Sequence, residues 1–501
     1  EMGTSNGTTS DMDGNYTIKV SDAATAVLKY SFIGYAPQEI AVAGRATINT
    51  TMAPSVAALD EVVVVGYGTS KKKELTGATS RVKGDQIEKL NIPRMDQALQ
   101  GQVAGVSINT NSGSPGGSSS IRIRGLSTFG DNDPLILVDG VVYDSEGLNA
   151  LNPSDIASIN VLKDATAGIY GVRAANGVIL IETKKGVNGG KPQVEFSSYY
   201  GIQQTSRKLG LLNAQEYALI KNDMFGRGGD DLPFDNTNLG AGTNWQDSVF
   251  TQAAIQNYNL SMTGGSKNTS YSIGGSYFSQ DGIVGGDKAN FTRYNGRVNF
   301  VTDLSEKLTL TSVLLYTHEE RSTLPENGIG SVLYNTVNAF PTEPIRTPDG
   351  NYSYLEEVTD IINPIAQIEN TFNRIKVDKI VGKEELTYTF NDNLSFSNRI
   401  SYNYALVDYK TFNPLVWFGP GKAQNNALNA DLDPNIVLIG DSTAIERGAS
   451  VYESRATYLD LTFESYLNYD KIFNDIHQVK ATLGASIFRR RGQGLNATAY
   501  N

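Results

Sequence analysis

The sequence predicts a mainly β protein: a transmembrane antiparallel β-barrel that is incomplete in this chain, an α+β domain inside it, and a partial β-sandwich at the N-terminus. Three observations lead to this fold class. The 501 residues include 50 Gly and 26 Tyr, without the repeating Lys and Glu pattern of a helical protein. From residue 191 onward, successive segments alternate apolar and polar residues, which indicates strands. The connectors between those segments alternate between long and short, as in outer-membrane barrels.

The composition excludes several classes of protein. The formal net charge of −11 argues against nucleic-acid binding, because such a surface repels phosphate. The chain has no Cys, which excludes disulfide scaffolds, thiolate zinc sites and thiol catalysis. The chain has two histidines, His318 and His477, which leaves few candidates for a metal ligand or a general base. With no HExxH or P-loop motif either, we expect no catalytic residue, no metal site and no cofactor.

The chain contains no run of 18 apolar residues, so we expect no membrane-spanning helix. A membrane β-barrel has no such run either, because its strands alternate. The sequence begins at Glu1 without the charged and apolar regions of a signal peptide. We therefore expect that a signal peptide was cleaved or that the N-terminus lies outside this sequence.

Residues 1–59 predict short strands separated by turns. The segment 16–20 places Tyr16, Ile18 and Val20 on one face, and residues 26–33 and 40–52 supply further strands. Three or four strands bury little apolar surface, so we interpret them as the later part of a small sandwich. Residues 11–14 faintly resemble a calcium loop, but a turn that leads into a strand is the favoured interpretation.

Residues 60–70 allow two interpretations. Asp60 and Glu61 precede four consecutive valines, residues 62–65, and then Gly66 and Tyr67. A β-branched run favours an extended chain, and flanking glycines and charges keep it mobile. Such a segment can add itself as a strand to the sheet edge of another protein. From these residues alone, the last strand of the preceding domain is the favoured alternative.

Residues 71–190 predict a compact α+β domain with mixed helix and strand signals. Helices are expected at 96–100 and 165–170, with a helical turn at 153–156 capped by Ser154. The expected strands lie at 105–108, 121–124, 135–138, 159–163 and 177–183.

Residues 191–501 predict nine amphipathic strands. Apolar residues recur at every second position in each, as in Tyr294, Val298 and Phe300, and the positions between them hold polar residues such as Arg293, Asn295, Arg297 and Asn299. A soluble sandwich would bury the apolar face in a core, whereas a membrane barrel would turn it toward lipid and line its lumen with the polar face.

The connectors favour the barrel over the sandwich. The expected long connectors are 203–256, 318–380 and 407–455, the connector 280–290 is of medium length, and those at 264–268, 302–305, 391–393 and 471–475 are short. Long loops therefore lie on one side and tight turns on the other, which is typical of outer-membrane barrels. At about 33 residues per strand, a plugged barrel of roughly 22 strands requires about 720 residues, so we expect some 400 further residues.

A series of ordered motifs resembles the TonB-dependent outer-membrane receptors of the SusC/RagA type. The resemblance is dense over residues 14–185 and looser through the barrel. The motifs are DEVVVVGYG (60–68), ALQGQVAGV (98–106), SIRIRG (120–125), PLILVDGV (134–141), INVLKDA (159–165), YG (170–171) and AANGVI (174–179). Taken together they are specific, although each alone is weak.

The resemblance implies a domain order: a partial carboxypeptidase-regulatory-like β-sandwich (1–59), a TonB box and linker (60–70), a plug domain (71–190) and the first part of a transmembrane β-barrel (191–501). It also reverses the interpretation of the valine run. The implied TonB box consists of Asp60, Glu61, Val62, Val63, Val64, Val65, Gly66 and Tyr67.

What the resemblance implies about function is active import across the outer membrane. A SusD-like surface lipoprotein would cover the extracellular mouth, and the pair would capture a large nutrient, usually an oligosaccharide and sometimes a peptide. TonB, with its inner-membrane energising complex, would pair with the box from the periplasm and displace the plug. The N-terminal extension and the box would then be periplasmic, the long loops extracellular, and the barrel surrounded by outer-membrane lipid.

Candidate site residues lie in the plug motifs and the long loops. Arg122 and Arg124 are two positions apart on an expected strand, where they can pair with lumen carboxylates or simply be solvated. Gly125 and the Asp139–Gly140 pair belong to neighbouring plug motifs. Exposed aromatic residues stack on sugar rings, so Trp245, Trp417 and Phe418 are candidate substrate contacts, although most loop aromatics only pack their loops.

Two alternatives remain open. A secreted or surface carbohydrate-binding or adhesive β protein would also have polar, Tyr-rich strands. Within the same class, a receptor for siderophores or cobalamin is the rival, and the N-terminal sandwich favours the glycan-type subgroup over it.

Overall fold

The computed structural model describes most of the chain. Residues 3, 5, 12–13, 32–37, 53–61, 66–67, 72–78, 89–93, 111, 145, 164–169, 356–359, 420–422, 425–448, 475–476 and 501 are outside the description, as are the side chains of 62–65, 68–71, 146, 417, 423–424 and 500. The described part divides into two compact units, Glu1–Ala78 and Thr79–Asn501.

The bounds of the described elements follow in chain order. The strands are β1 Val27–Tyr30, β2 Gln38–Ala41, β3 Val62–Val65, β4 Gly68–Lys71, β5 Thr79–Lys83, β6 Val106–Thr110, β7 Ser119–Ile123, β8 Leu135–Val138, β9 Val141–Tyr143, β10 Ile156–Leu162, β11 Val178–Thr183, β12 Gln193–Gln203, β13 Ala253–Gly265, β14 Thr269–Gly282, β15 Gly286–Ser305, β16 Leu308–Thr323, β17 Phe372–Asn391, β18 Leu394–Asn413, β19 Val416–Trp417, β20 Ala423–Gln424, β21 Ser450–Phe473 and β22 His477–Tyr500. The α-helices are α1 Gly84–Glu88, α2 Met95–Leu99, α3 Ala214–Gly228, α4 Trp245–Val249, α5 Val332–Asn338 and α6 Pro364–Glu369, and short 3-10 helices cover Glu146–Ala150 and Pro153–Asp155. Within the described residues, no helix has the length and apolar character needed to cross a membrane.

The first unit is a small β structure. Strands β1 and β2 pair antiparallel and bury a cluster that includes Leu28, Val42 and Ile48. The strand predicted at 16–20 is wrong, because that segment forms no regular strand in the structure. Its alternate apolar residues, from Tyr16 to Val20, nevertheless pack against the same cluster. These side chains therefore share one face, as predicted, although the segment does not pair as a β-strand.

The second unit contains the α+β domain, which we define as residues 79–183. Its sheet has the order β5-β10-β11-β8-β9, with β11 parallel to β8 and the other neighbours antiparallel. Alternate residues of the central strands, such as Ile159, Val161 and Ile179, are completely buried in one core. The predicted strands thus form, with bounds shifted by up to three residues.

Two predicted helical features of this domain have different outcomes. The turn at 153–156 is a 3-10 helix, but its cap is Asn152, whose side chain accepts a hydrogen bond from the backbone N–H of Ser154. The predicted cap at Ser154 is therefore wrong, because Pro153 occupies the first helical position and the cap lies at Asn152, two residues earlier. Most of the helix predicted at 165–170 lies outside the described residues.

The remaining large feature is the wall sheet, which consists of β12–β18, β21 and β22. In the described part of the chain these nine strands pair in sequence order, every neighbour antiparallel, and the sheet is not closed. The nine predicted strands are therefore confirmed. One connector differs from prediction: β14 and β15 extend so far that only residues 283–285 separate them, where a medium connector was expected.

The two faces of the wall sheet differ as the alternation predicts. On β15, Tyr294 and Val298 are 48% and 38% exposed, whereas Arg293 and Arg297, one position away from them, are each 1% exposed. Many of the predicted apolar positions are exposed, and others are partly exposed. The exposed ones include Val194, Phe196, Tyr200, Ile202, Tyr258, Leu260, Met262, Ile273, Leu314, Tyr316, Leu386, Tyr388, Phe390, Ile400, Leu461, Phe463, Val479, Leu483 and Ile487. On β13 to β18 the polar face instead packs on the α+β domain, whereas β22 and the first half of β12 are exposed on both faces.

Candidate functional site

The candidate site is the contact between the polar face of the wall sheet and the α+β domain. Its centre is β15, because the β period places Arg293, Asn295, Arg297 and Asn299 on one face. Arg297 makes the central ion pair, with 2.9 Å between its Nε and Oδ1 of Asp155. The side chains are 1% and 14% exposed, so this pair is nearly dry.

The other β15 side chains bind backbone carbonyls of the α+β domain and of the residue that follows it. Asn295 Nδ2 donates to the carbonyl of Ala150 over 2.6 Å, and Arg293 donates to that of Asn149. Asn299 Nδ2 and Arg297 Nη1 both donate to the carbonyl of Lys184, over 3.1 Å and 2.6 Å. Because carbonyls are fixed by the fold, these bonds position the α+β domain as a whole.

Polar contacts continue on β16. Arg321 donates through Nε to the carbonyl of Pro115 and through Nη2 to Oγ of Ser114, both over 2.8 Å. These bonds hold the loop between β6 and β7 against the wall. Gly116 in that loop has φ +64°, and a Cβ there would lie 2.5 Å from the Phe291 ring, so the backbone touches the wall directly.

Strand β17 contributes an ion pair between the buried Lys379 and Asp144 of the α+β domain. Burial alone would raise the pKa of Asp144, but the Lys379 charge and hydrogen bonds to the carboxylate outweigh it and leave the pKa below its usual value. The carboxylate is therefore charged at neutral pH.

The contact also has a small apolar part. Leu315 and Val381 of the wall belong to the same buried cluster as the core of the α+β domain. Within the described part of the chain, several buried polar atoms have no hydrogen-bond partner, among them Arg293 Nε and Asn149 Oδ1. The contact is thus mainly polar, and polar atoms of this kind are where ordered water binds.

The Asp139–Gly140 pair forms the turn between β8 and β9, with φ +48° and +86°. Left-handed values at both positions are those of a type I′ hairpin turn. The Asp139 carboxylate accepts hydrogen bonds from the backbone N–H of Thr183 over 3.1 Å and from its hydroxyl over 2.6 Å. A Cβ at Gly140 would lie 3.3 Å from Arg399 Nη1 in the wall. The turn is therefore fixed to β11 and faces the wall.

The arginine prediction needs a correction. Arg122 pairs with Asp133 of the same domain and not with a carboxylate of the wall. Arg124 has φ +59°, lies beyond the end of β7, and donates its backbone N–H to Gly105 over 2.8 Å. The two arginines therefore do not share one strand face, because the chain turns at Arg124 and Gly125.

The valine run forms strand β3, which pairs antiparallel with β4, Val62 opposite Lys71 and Val65 opposite Gly68. Asp60, Glu61, Gly66 and Tyr67 lie outside the described residues.

The predicted substrate contacts of the loops are not supported by the structure. Trp245 is 3% exposed, packs among Ala339, Leu355 and Ile361, and donates its indole N–H to the carbonyl of Phe340. Phe418 is 5% exposed. Both side chains stabilise their loops, and the side chain of Trp417 lies outside the described part of the chain.

Sequence reasoning identified the polar face of β15 but not its partners. The alternation marks Arg293 and Arg297 as facing the lumen. Nothing in the sequence pairs Arg297 with Asp155, 142 positions away. Among the described residues, no group of three or more His, Asp or Glu side chains could hold a metal ion.

Comparison with known proteins gives two family matches. The TonB-dependent Receptor Plug Domain matches residues 71–178, and the CarboxypepD_reg-like domain matches residues 1–64. The TonB-dependent receptor P3 of Formosa agariphila is 34% identical over 507 residues, which cover 99% of this chain and 46% of that relative. The TonB-dependent receptor SusC of Bacteroides thetaiotaomicron is 34% identical over 419 residues, covering 77% and 40%. The chain thus spans less than half the length of these curated relatives.

A solved structure shares the fold. The RagAB peptide importer in its open-open state superposes with a TM-score of 0.70 at 22% identity, over 87% of this chain and 50% of that chain.

Proposed function

The chain carries the plug, the carboxypeptidase-regulatory-like domain and the antiparallel wall strands of a TonB-dependent receptor of the SusC/RagA type, and from this premise we propose that it serves the energised import of a large nutrient across the outer membrane. The nutrient is an oligosaccharide in the first place and a peptide as the alternative. The relatives are receptors and transporters rather than enzymes, which supports a non-enzymatic role.

One observation carries this proposal: the α+β domain is held on a wall sheet by polar contacts, while the opposite face of that sheet exposes apolar side chains. A plug that must be displaced and reseated needs contacts that can be exchanged for water, which hydrogen bonds to carbonyls allow. An apolar outer face with a polar inner one suits a wall between lipid and a hydrated lumen.

For the energy-coupling step we propose residues 60–67 as the segment that pairs with TonB. Two strands of four residues are marginally stable in water, so the β3–β4 ladder can be exchanged for pairing with another chain. The β-branched valines favour the extended form that such pairing requires.

The proposed arrangement follows the domain order 1–59, 60–70, 71–190 and 191–501. The first two segments are periplasmic, and the wall is in the outer membrane. The long connectors 204–252, 324–371 and 414–449 are extracellular, where a SusD-like lipoprotein would cover the mouth. We assign Asp139 to fixing the β8–β9 turn on β11, and Gly140 to the close approach of that turn to the wall, rather than to substrate binding.

The test is a Val64→Pro substitution in the full-length receptor. Proline removes the backbone N–H and disfavours regular pairing, so uptake of the nutrient should fall to the level seen without TonB. Nutrient binding at the cell surface should be unchanged, because binding does not need energy. Val64→Ile keeps the β-branched backbone preference and should import at the wild-type rate.

Uptake that persists at the wild-type rate in Val64→Pro cells would contradict the assignment of this segment. Recovery of the receptor as a soluble protein without detergent would instead favour the adhesive or carbohydrate-binding alternative.

A further inference from the structure

A cavity of about 640 Å³ lies between the α+β domain and the wall. On the domain side it is lined by Arg94, Gln97 and the loop 112–115. On the wall side it is lined by the ends of β12 and β14 and by the start of the connector 324–371. All these strand ends lead into the connectors 204–252, 283–285 and 324–371, so the cavity is at one end of the wall. Its volume is typical of a ligand site.

One side of the cavity is aliphatic. Ile283, Val284, Leu324, Val332 and Leu333 line it, and Leu324 and Val332 belong to a buried cluster that fixes their positions. Among the described lining residues, Phe250 is the single aromatic one. Sugar rings are usually held against flat aromatic rings, whereas branched aliphatic side chains pack against rounded aliphatic surfaces.

The other side carries amide groups. Gln280 Nε2 donates to Gln203 Oε1 over 3.0 Å, which leaves the Gln203 NH₂ and the Gln280 carbonyl oxygen to face a ligand. The Gln97 side chain has no hydrogen-bond partner within the described part of the chain, and it lines the cavity from the opposite side. The three amides together offer both donors and acceptors, as a peptide main chain does.

The charges of the cavity are balanced. Arg94 is 5% exposed and is paired with Asp96, with 3.0 Å between Nε and Oδ1. Glu326 is paired with Arg321 over 3.0 Å. Each charge is thus satisfied by a neighbour, so the cavity does not attract an anionic or a cationic ligand by net charge. This argues against a ferric siderophore as the occupant.

We propose that this cavity binds an uncharged stretch of a peptide. An aliphatic side chain packs against the side formed by Leu324, Val332 and Leu333, and main-chain amides bond to Gln97 and the Gln203–Gln280 pair. The proposal rests on the proposed import function, and it favours the peptide over the oligosaccharide as the cargo.

The experiment measures binding to the full-length detergent-solubilised receptor by calorimetry. The probes are Gly-Leu-Gly with both ends blocked, the same peptide with Ser for Leu, and maltotriose. The Leu peptide should bind about tenfold more tightly than the Ser peptide, because it buries an aliphatic side chain. Maltotriose should not bind.

Two variants locate the site. Gln280→Leu should weaken binding of the Leu peptide about three- to tenfold, because it removes one hydrogen-bonding group. Leu333→Ser, at a residue that is 41% exposed and so tolerant of change, should weaken the Leu peptide about fivefold and leave the Ser peptide unchanged. Gln252→Leu is the matched control, since Gln252 lies in the connector 204–252 outside the cavity lining, and it should have no effect.

The outcomes separate this inference from the import function. If maltotriose binds, Gln280→Leu weakens that binding and neither peptide binds, the peptide assignment is overturned and the import function is left intact. Equal affinity of the Leu peptide for wild type, Gln280→Leu and Leu333→Ser would overturn the cavity as its site. Energised uptake that the Val64→Pro change leaves intact would contradict the assignment of residues 60–67 as the segment that pairs with TonB. Absence of energised uptake by the wild-type receptor would contradict the import function, whatever the calorimetry gives.

Discussion

Replacing Asp155 by Asn removes the carboxylate that pairs with Arg297 while keeping the size of the side chain. The Arg297 guanidinium is 1% exposed and cannot reach solvent without movement of the α+β domain. Besides the amide oxygen of the substituted side chain, it keeps two acceptors, the carbonyl of Lys184 at 2.6 Å and Oγ of Ser272 at 2.9 Å. Among the described residues its Nη2 has no partner even in the intact protein, so the charge depends on Asp155 for compensation.

The magnitude follows from this geometry. Removing one partner of a buried pair costs about 3–5 kcal/mol, because the other charge remains buried and unpaired. The two remaining acceptors place the expected loss at the low end, about 3 kcal/mol. At 1.4 kcal/mol per factor of ten, this corresponds to about a 100-fold larger population of the displaced α+β domain.

Hydrogen exchange of the detergent-solubilised receptor measures that population, because exchange of protected amides follows the free energy of opening. The amides of β10 and β11 should exchange about 100-fold faster in Asp155→Asn than in wild type. Asp408→Asn is the control, since it breaks an exposed pair with Arg455 and should leave the exchange of β10 and β11 unchanged. A change of less than about threefold in Asp155→Asn would refute the anchoring role of this pair.

Three further predictions concern the seating of the domain and the loops. Gly116→Val should loosen the loop against Phe291 and accelerate proteolysis of the β6–β7 region, whereas Gly113→Ala, where a Cβ meets nothing within 4 Å, should not. The pKa of Asp144 is lower in the folded protein than its usual value of 3.8. The stability that the ionised carboxylate gives to the folded state is therefore complete at neutral pH, and it is lost as the pH falls through the folded pKa. The protection factors of the β9 amides, which are corrected for the intrinsic pH dependence of exchange, should therefore stay constant from pH 7 to 5. Below about pH 4 they should fall in wild type, more than in Asp144→Asn. Trp245→Ala should destabilise the connectors by about 3–5 kcal/mol, seen as faster proteolysis between residues 204 and 371, without a change in ligand preference among molecules that still bind.

The wall sheet could be predicted from the sequence because its signal is local. A period of two along each strand, as in residues 293–300, fixes which side chains share a face, and the order of pairing then follows from short turns between neighbours. The lengths of the strands could not be predicted. Residues beyond the apolar band, such as those that extend β14 to Gly282, are polar on both faces and carry no pattern.

The candidate site was predictable only in part, for a different physical reason. Whether a side chain faces the lumen can be predicted from the pattern of a single strand. The pairs Asp155–Arg297 and Asp144–Lys379 instead join residues 142 and 235 positions apart, and no local pattern connects them. Composition also could not decide whether Trp245 would be exposed. A large aromatic in a loop gains more from burial among Ala339, Leu355 and Ile361 than from remaining free, and the partners that bury it are remote in sequence.

The orientation of the wall sheet can be measured directly with single labelled cysteines, because these 501 residues contain no native Cys. Nitroxide labels at Val298, Ile400 and Asn299 in receptor reconstituted into lipid vesicles report their contact with dissolved oxygen and with a water-soluble nickel complex. Val298 and Ile400 should be relaxed by oxygen and shielded from nickel, as in hydrocarbon. Asn299 should be shielded from both, because it is buried against the α+β domain. Strong relaxation of Val298 and Ile400 by nickel, with little by oxygen, would contradict a lipid-facing outer surface.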